Sequence, residues 1–94
     1  MAFSGFVEAR SANALDAKQQ IDGWITSMSR LAVSEGGRVI LGETRYLRPK
    51  EAGAGTRRSA EIWIIQHVDI ELPDAADRKR LEAELARISF VPHG

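Results

Sequence analysis

The 94-residue chain contains no cysteine, three prolines, six aromatic residues and two histidines, and its thirteen basic and thirteen acidic side chains leave no net charge. Each shortage removes a class of explanation. Without cysteine there are no disulfides, no thiolate metal sites and no thiol nucleophile. No apolar run approaches the ~18–20 residues that span a bilayer. The opening Met1-Ala-Phe-Ser-Gly-Phe-Val-Glu8 lacks a basic segment followed by an apolar one. A secretory leader and a membrane role are therefore not expected, and a cytoplasmic location is. Zero net charge argues against indiscriminate binding to polyanions, which needs a broad positive field.

What the chain has is an ordinary globular composition, 44% hydrophobic and 28% charged. That composition can fill a core, and the length suits one domain over residues 1–94. Such a domain folds with little margin, so a second copy or another protein is a natural source of further burial.

Periodicity, caps and breakers divide the chain into five segments. Phe3–Arg10 alternates loosely and reads as a strand weakened by Gly5. Asn13 offers a helix cap, and Ala14, Ala17, Ile21, Ile25, Met28 and Ala32 recur at three- and four-residue steps, which predicts an amphipathic helix over 13–33. Gly23 inside it suggests close approach of a neighbouring element, and Gly36 and Gly37 supply a stop. Arg38–Arg48 and Arg58–Leu72 read as strands joined by the loop Pro49–Thr56, giving a long hairpin. Pro73 then breaks the chain, and Asp74 is expected to cap a second helix carrying Leu81, Leu85 and Ile88. The tail Ser89–Pro92 suits a short last strand.

These elements predict an α+β fold, with two helices on one face of an antiparallel sheet built around the hairpin. With both terminal strands formed, the order is βαββαβ, that of the ferredoxin-like fold. A hairpin register with Arg48 opposite Arg58 pairs Arg45 with Glu61 and Leu41 with Ile65. In that register Ile40, Ile62, Ile64, Val68 and Ile70 face the helices. Val39, Leu41, Trp63 and Ile65 then share the uncovered face, an apolar centre with an aromatic anchor and a charged margin.

The neutral total hides a charge pattern. Residues 1–37 sum to minus one, 38–58 to plus four, 59–77 to minus five and 78–94 to plus two. Arg45, Arg48, Lys50, Arg57 and Arg58 gather toward the hairpin tip and could meet a polyanion or an acidic partner. The acids collect at the other end of the long strand, ~40 Å away if it is extended.

Motifs for chemistry are sparse. Gly53-Ala-Gly55-Thr56-Arg57-Arg58 has the composition of a phosphate loop, but it joins two strands and opens no helix, so a hairpin loop is the better reading. His67 and Asp69 share one strand face and could form a general base with its orienting carboxylate. No third ligand type at metal spacing accompanies them, and no cofactor or metal is expected. His93 lies in the tail. The leading expectation is a non-enzymatic module, regulatory or inhibitory, that binds another protein or itself as a homodimer through Val39, Leu41, Trp63 and Ile65. The alternatives are a nucleic-acid accessory protein using the basic tip, and a small dimeric enzyme using His67 and Asp69.

Overall fold

A computed structural model describes residues 1–47 and 61–93. The elements are β1 (Ala2–Ser11), α1 (Ala14–Ser34), β2 (Arg38–Leu47), β3 (Ile62–Glu71), α2 (Arg78–Arg87) and β4 (Val91–Pro92). The four strands form one antiparallel sheet in the order β2-β3-β1-β4. The α+β class with both helices on one face is therefore as expected. The element order βαββαβ, with β3 between the mutually parallel β1 and β2, is that of a split βαβ arrangement.

Local chemistry explains the elements. Asn13 caps α1, its side-chain oxygen accepting from the backbone N–H groups of Leu15 and Asp16. Ala17, Ile21, Met28 and Ala32 are buried along one stripe, with Trp24, Ile25 and Leu31 packing beside them. At the end of α1, Gly36 takes a φ of +81°, the left-handed conformation that glycine adopts without strain. The core closes between this stripe, Phe3, Val7 and Ala9 of β1, Ile64, Val68 and Ile70 of β3, Leu81 and Leu85 of α2, and Phe90. It draws on every layer, so burial of its apolar area is the main force ordering sheet and helices together.

Three local expectations are corrected. The cap of α2 is Asp77, which accepts from the Arg80 N–H, and not Asp74. The residues after Pro73 make a turn closed by Ala76 N–H to the Pro73 carbonyl, which delays the helix. Asp74 instead pairs with the Met1 ammonium at 2.8 Å, and that hydrogen-bonded cation holds its carboxyl below the usual carboxylate range. Gly23 receives no neighbouring element: it is exposed, and a Cβ there would meet nothing within 4 Å.

The hairpin register is the third correction. Val39 pairs with Ile70, Ile40 with Asp69 and Leu41 with Val68, whereas Arg45 pairs with Ile65 and not with Glu61. The pairing lies three residues from the expected register in the first half of β2 and four in the second. An odd slip exchanges the two faces of a strand. Gly42 and Glu43 together oppose His67, a bulge that restores the parity from Thr44 onward. The buried Gln66 side chain explains why the bulge sits there. Its amide donates to the Gly42 carbonyl at 3.0 Å and the His67 carbonyl at 2.9 Å, while Thr44 Oγ1 donates to its Oε1. A polar group facing the core is thereby satisfied by carbonyls at the bulge.

Candidate outer-face recognition surface

Because the helices lie on one face, the composition of the other follows from strand parity. β1 and β3 pair Arg10 with Trp63, Glu8 with Ile65, Phe6 with His67 and Ser4 with Asp69, and all eight side chains point away from the core. β2 adds Ile40 before the bulge and Arg45 and Leu47 after it. β4 adds Val91 opposite Phe6.

The four expected anchors do not share this surface. Trp63 and Ile65 lie on it, half-buried, whereas the register turns Val39 and Leu41 to the helix side. Val39 packs against the core there, and Leu41 is 55% exposed near the sheet edge. The physical cause is the slip described above: Val39 and Leu41 meet Ile70 and Val68 in place of His67 and Ile65. Ile40, assigned to the core by sequence, takes their place on the outer face and is 40% exposed. The apolar centre thus consists of Phe6, Ile40, Leu47, Trp63, Ile65 and Val91.

Trp63 is held in place. Its indole N–H donates to Glu8 Oε2 at 3.0 Å, and the Arg10 guanidinium lies 4.1 Å from the ring centroid. A guanidinium over an indole face is attracted by the ring quadrupole. The aromatic anchor is therefore preorganised, which lowers the entropy lost when a partner covers it.

Of the basic cluster, Arg45 is exposed on the outer face opposite Ile65. Arg48, Lys50, Arg57 and Arg58 lie outside the described residues. Within the described face, the end toward the loop carries Arg10 and Arg45 with Glu8, and the other end carries Asp69 and Glu71 with Arg38. Arg38 is already paired with Glu71 at 2.7 Å.

His67 and Asp69 share the outer face as expected but do not contact each other as base and orienting carboxylate. Asp69 accepts from Ser4 Oγ, and the His67 Nδ1 lies 3.3 Å from His93 Nε2. A concavity of about 450 Å³ opens between β1, α2 and the tail, lined by Phe3, Arg78, Leu85, Phe90 and His93 but not by His67. Among the described residues, no group of three or more His, Asp or Glu side chains could hold a metal ion, and no helix is long and apolar enough to cross a membrane.

Sequence reasoning missed Phe6, Glu8, Arg10, Val91 and His93. They come from the two terminal strands, and only the pairing of β1 beside β3 brings them to Trp63 and His67. One signal was available: β1 alternates Phe6, Glu8 and Arg10 against Gly5, Val7 and Ala9, the pattern of a strand with one covered face. Compared with protein-family models, with curated proteins and with solved structures, the chain matches none.

Proposed function

We propose that this chain is a protein-binding module, non-enzymatic in its action, whose outer sheet face recognises a second copy of itself. The observation that carries this is a sheet face left uncovered by both helices, with an apolar centre around a preorganised Trp63.

The charge distribution selects the occupant and its orientation. One end of the face presents Arg10 and Arg45 with Glu8, a sum of plus one, and the other Asp69 and Glu71 with Arg38, a sum of minus one. A twofold axis across the strands sets the two sheets antiparallel, so each cationic end lies over the acidic end of the second copy. Such a surface is complementary to itself, which a face of one sign would not be. Strand spacing and rise make the three ten-residue strands roughly 450–500 Å² in projection. A stable interface takes about 800 Å² of accessible surface per partner, so side-chain relief and the margins of the face, β4 included, contribute to the contact. In this reading apolar and aromatic burial supplies affinity, and the charged ends set orientation.

The test is the solution mass of the wild type and of Trp63→Asp. The wild type is expected to sediment as a dimer, and a folded Trp63→Asp chain as a monomer. Arg45→Glu, at an exposed strand position, gives the same test without touching the indole packing. A monomeric wild type at about 100 µM, where even a micromolar dimer is nearly complete, would remove the proposal.

A further inference from the structure

The two histidines of the chain are 26 residues apart in sequence, yet His67 Nδ1 and His93 Nε2 lie 3.3 Å from each other. Their rings are stacked, with centroids 5.2 Å apart and planes inclined by 22°. From this geometry we infer that His67 and His93 form a two-imidazole site for a divalent transition metal of the zinc class, with its remaining coordination positions open.

The separation of the two nitrogens suits a tetrahedral ion. With Zn–N bonds of about 2.0–2.1 Å, two ligands of a tetrahedral ion lie about 3.3–3.4 Å apart. Two cis ligands of a square-planar ion at similar bond lengths lie about 2.8–3.0 Å apart, which the observed separation exceeds. Imidazole nitrogens suit borderline ions such as zinc and do not suit calcium or magnesium, which take oxygen ligands.

The fold brings each ring to its position. His67 stands mid-way along β3, a central strand, opposite Phe6 on one side and the Gly42–Glu43 bulge on the other. His93 follows β4, and its backbone N–H donates to the Ser4 carbonyl at 2.9 Å, which continues the β1–β4 ladder past Pro92. The Phe6 ring lies 6.3 Å from His67 and 5.8 Å from His93, so it packs against both imidazoles. Two donors already side by side lose less freedom on chelation than two free side chains. The tautomers decide which ring donates an N–H to the other, and a bound ion takes the place of that proton. In the free chain, protein ligands fill two positions and water fills the others, as at zinc sites that keep open positions. Both donors belong to one chain, so the inference does not rest on self-association.

The experiment titrates zinc chloride into the untagged chain by calorimetry, with Tm recorded with and without zinc. Expected are one zinc per chain and a zinc-dependent rise in Tm that a chelator reverses. His67→Ala and His93→Ala should each weaken binding about tenfold or more and abolish the Tm rise. His67→Gln, which keeps a polar side chain of similar reach, provides the folded control and should behave as His67→Ala does. Wild-type affinity retained in either alanine variant, or no saturable binding by the wild type at about 1 mM zinc, would overturn the inference.

Discussion

Gly5 stands in the middle of β1, where a strand would gain from a side chain, and the structure gives a reason for its absence. A Cβ at Gly5 would lie 2.2 Å from the Val91 carbonyl oxygen and 2.7 Å from the Phe90 ring. Ordinary contact begins at 3.4 Å, so the Val91 backbone would have to retreat by about 1.2 Å. Phe90 is 6% exposed and anchors the chain just before β4, so the aromatic ring cannot simply swing away. Gly5→Ala therefore either overpacks the core, at a cost of about 1–3 kcal/mol, or detaches β4 and its hydrogen bonds, each worth about 1 kcal/mol. The gain of roughly 0.5–1 kcal/mol from replacing a strand glycine is smaller than either. A net loss of about 1–2 kcal/mol corresponds to a fall in Tm of roughly 4–16 °C in a domain of this size. Hydrogen exchange locates the damage: the His93 amide, bonded to the Ser4 carbonyl, should lose protection while the amides of β3 keep theirs. Zinc affinity should fall with it, because β4 places His93 beside His67. An unchanged Tm together with unchanged protection at His93 would refute the packing argument.

Two further substitutions test the fold from opposite directions. Gly23→Ala removes a helix glycine at a position with open space around it, so it should stabilise by roughly 0.5–1 kcal/mol and raise Tm by several degrees; a lower Tm would show that α1 is packed there. Gln66→Leu leaves the Gly42 carbonyl without its amide donor, so thermal unfolding should show a loss of roughly 1–3 kcal/mol, and an unchanged Tm would mean that the bulge does not depend on the Gln66 amide.

The parts of this fold legible in sequence are those set by local physics. The cap at Asn13 and the spacing from Ala17 to Ala32 placed α1 within a residue of its observed ends, because a capped amphipathic helix is specified by its own residues. The alternation of Ile62, Ile64, Val68 and Ile70 identified β3 and its buried face for the same reason. Register was not legible, because it depends on which residues of β2 and β3 meet. Charge pairing of Arg45 with Glu61 suggested one answer, worth no more than about 1 kcal/mol. Burial of Val39 against the core and the hydrogen-bonding needs of Gln66 outweigh it. The site inherited that error in half of its anchors: Trp63 and Ile65 kept their face with β3, while Val39 and Leu41 lost theirs with β2. His93 shows the same limit from another side. Its nearness to His67 depends on a two-residue strand and a glycine that makes room for it, and no periodicity in the tail announces either.

In the proposed dimer the outer face pairs with its own copy, cationic end over acidic end. Sedimentation equilibrium across a charge-swap cycle tests it most directly. Arg45→Glu alone and Asp69→Arg alone should each weaken the dimer, by up to several kcal/mol where like charges are brought together. The double variant, which exchanges the signs of the two ends, should recover most of the wild-type affinity. Equal dimer dissociation constants for all four chains, or losses that simply add in the double variant, would contradict the account.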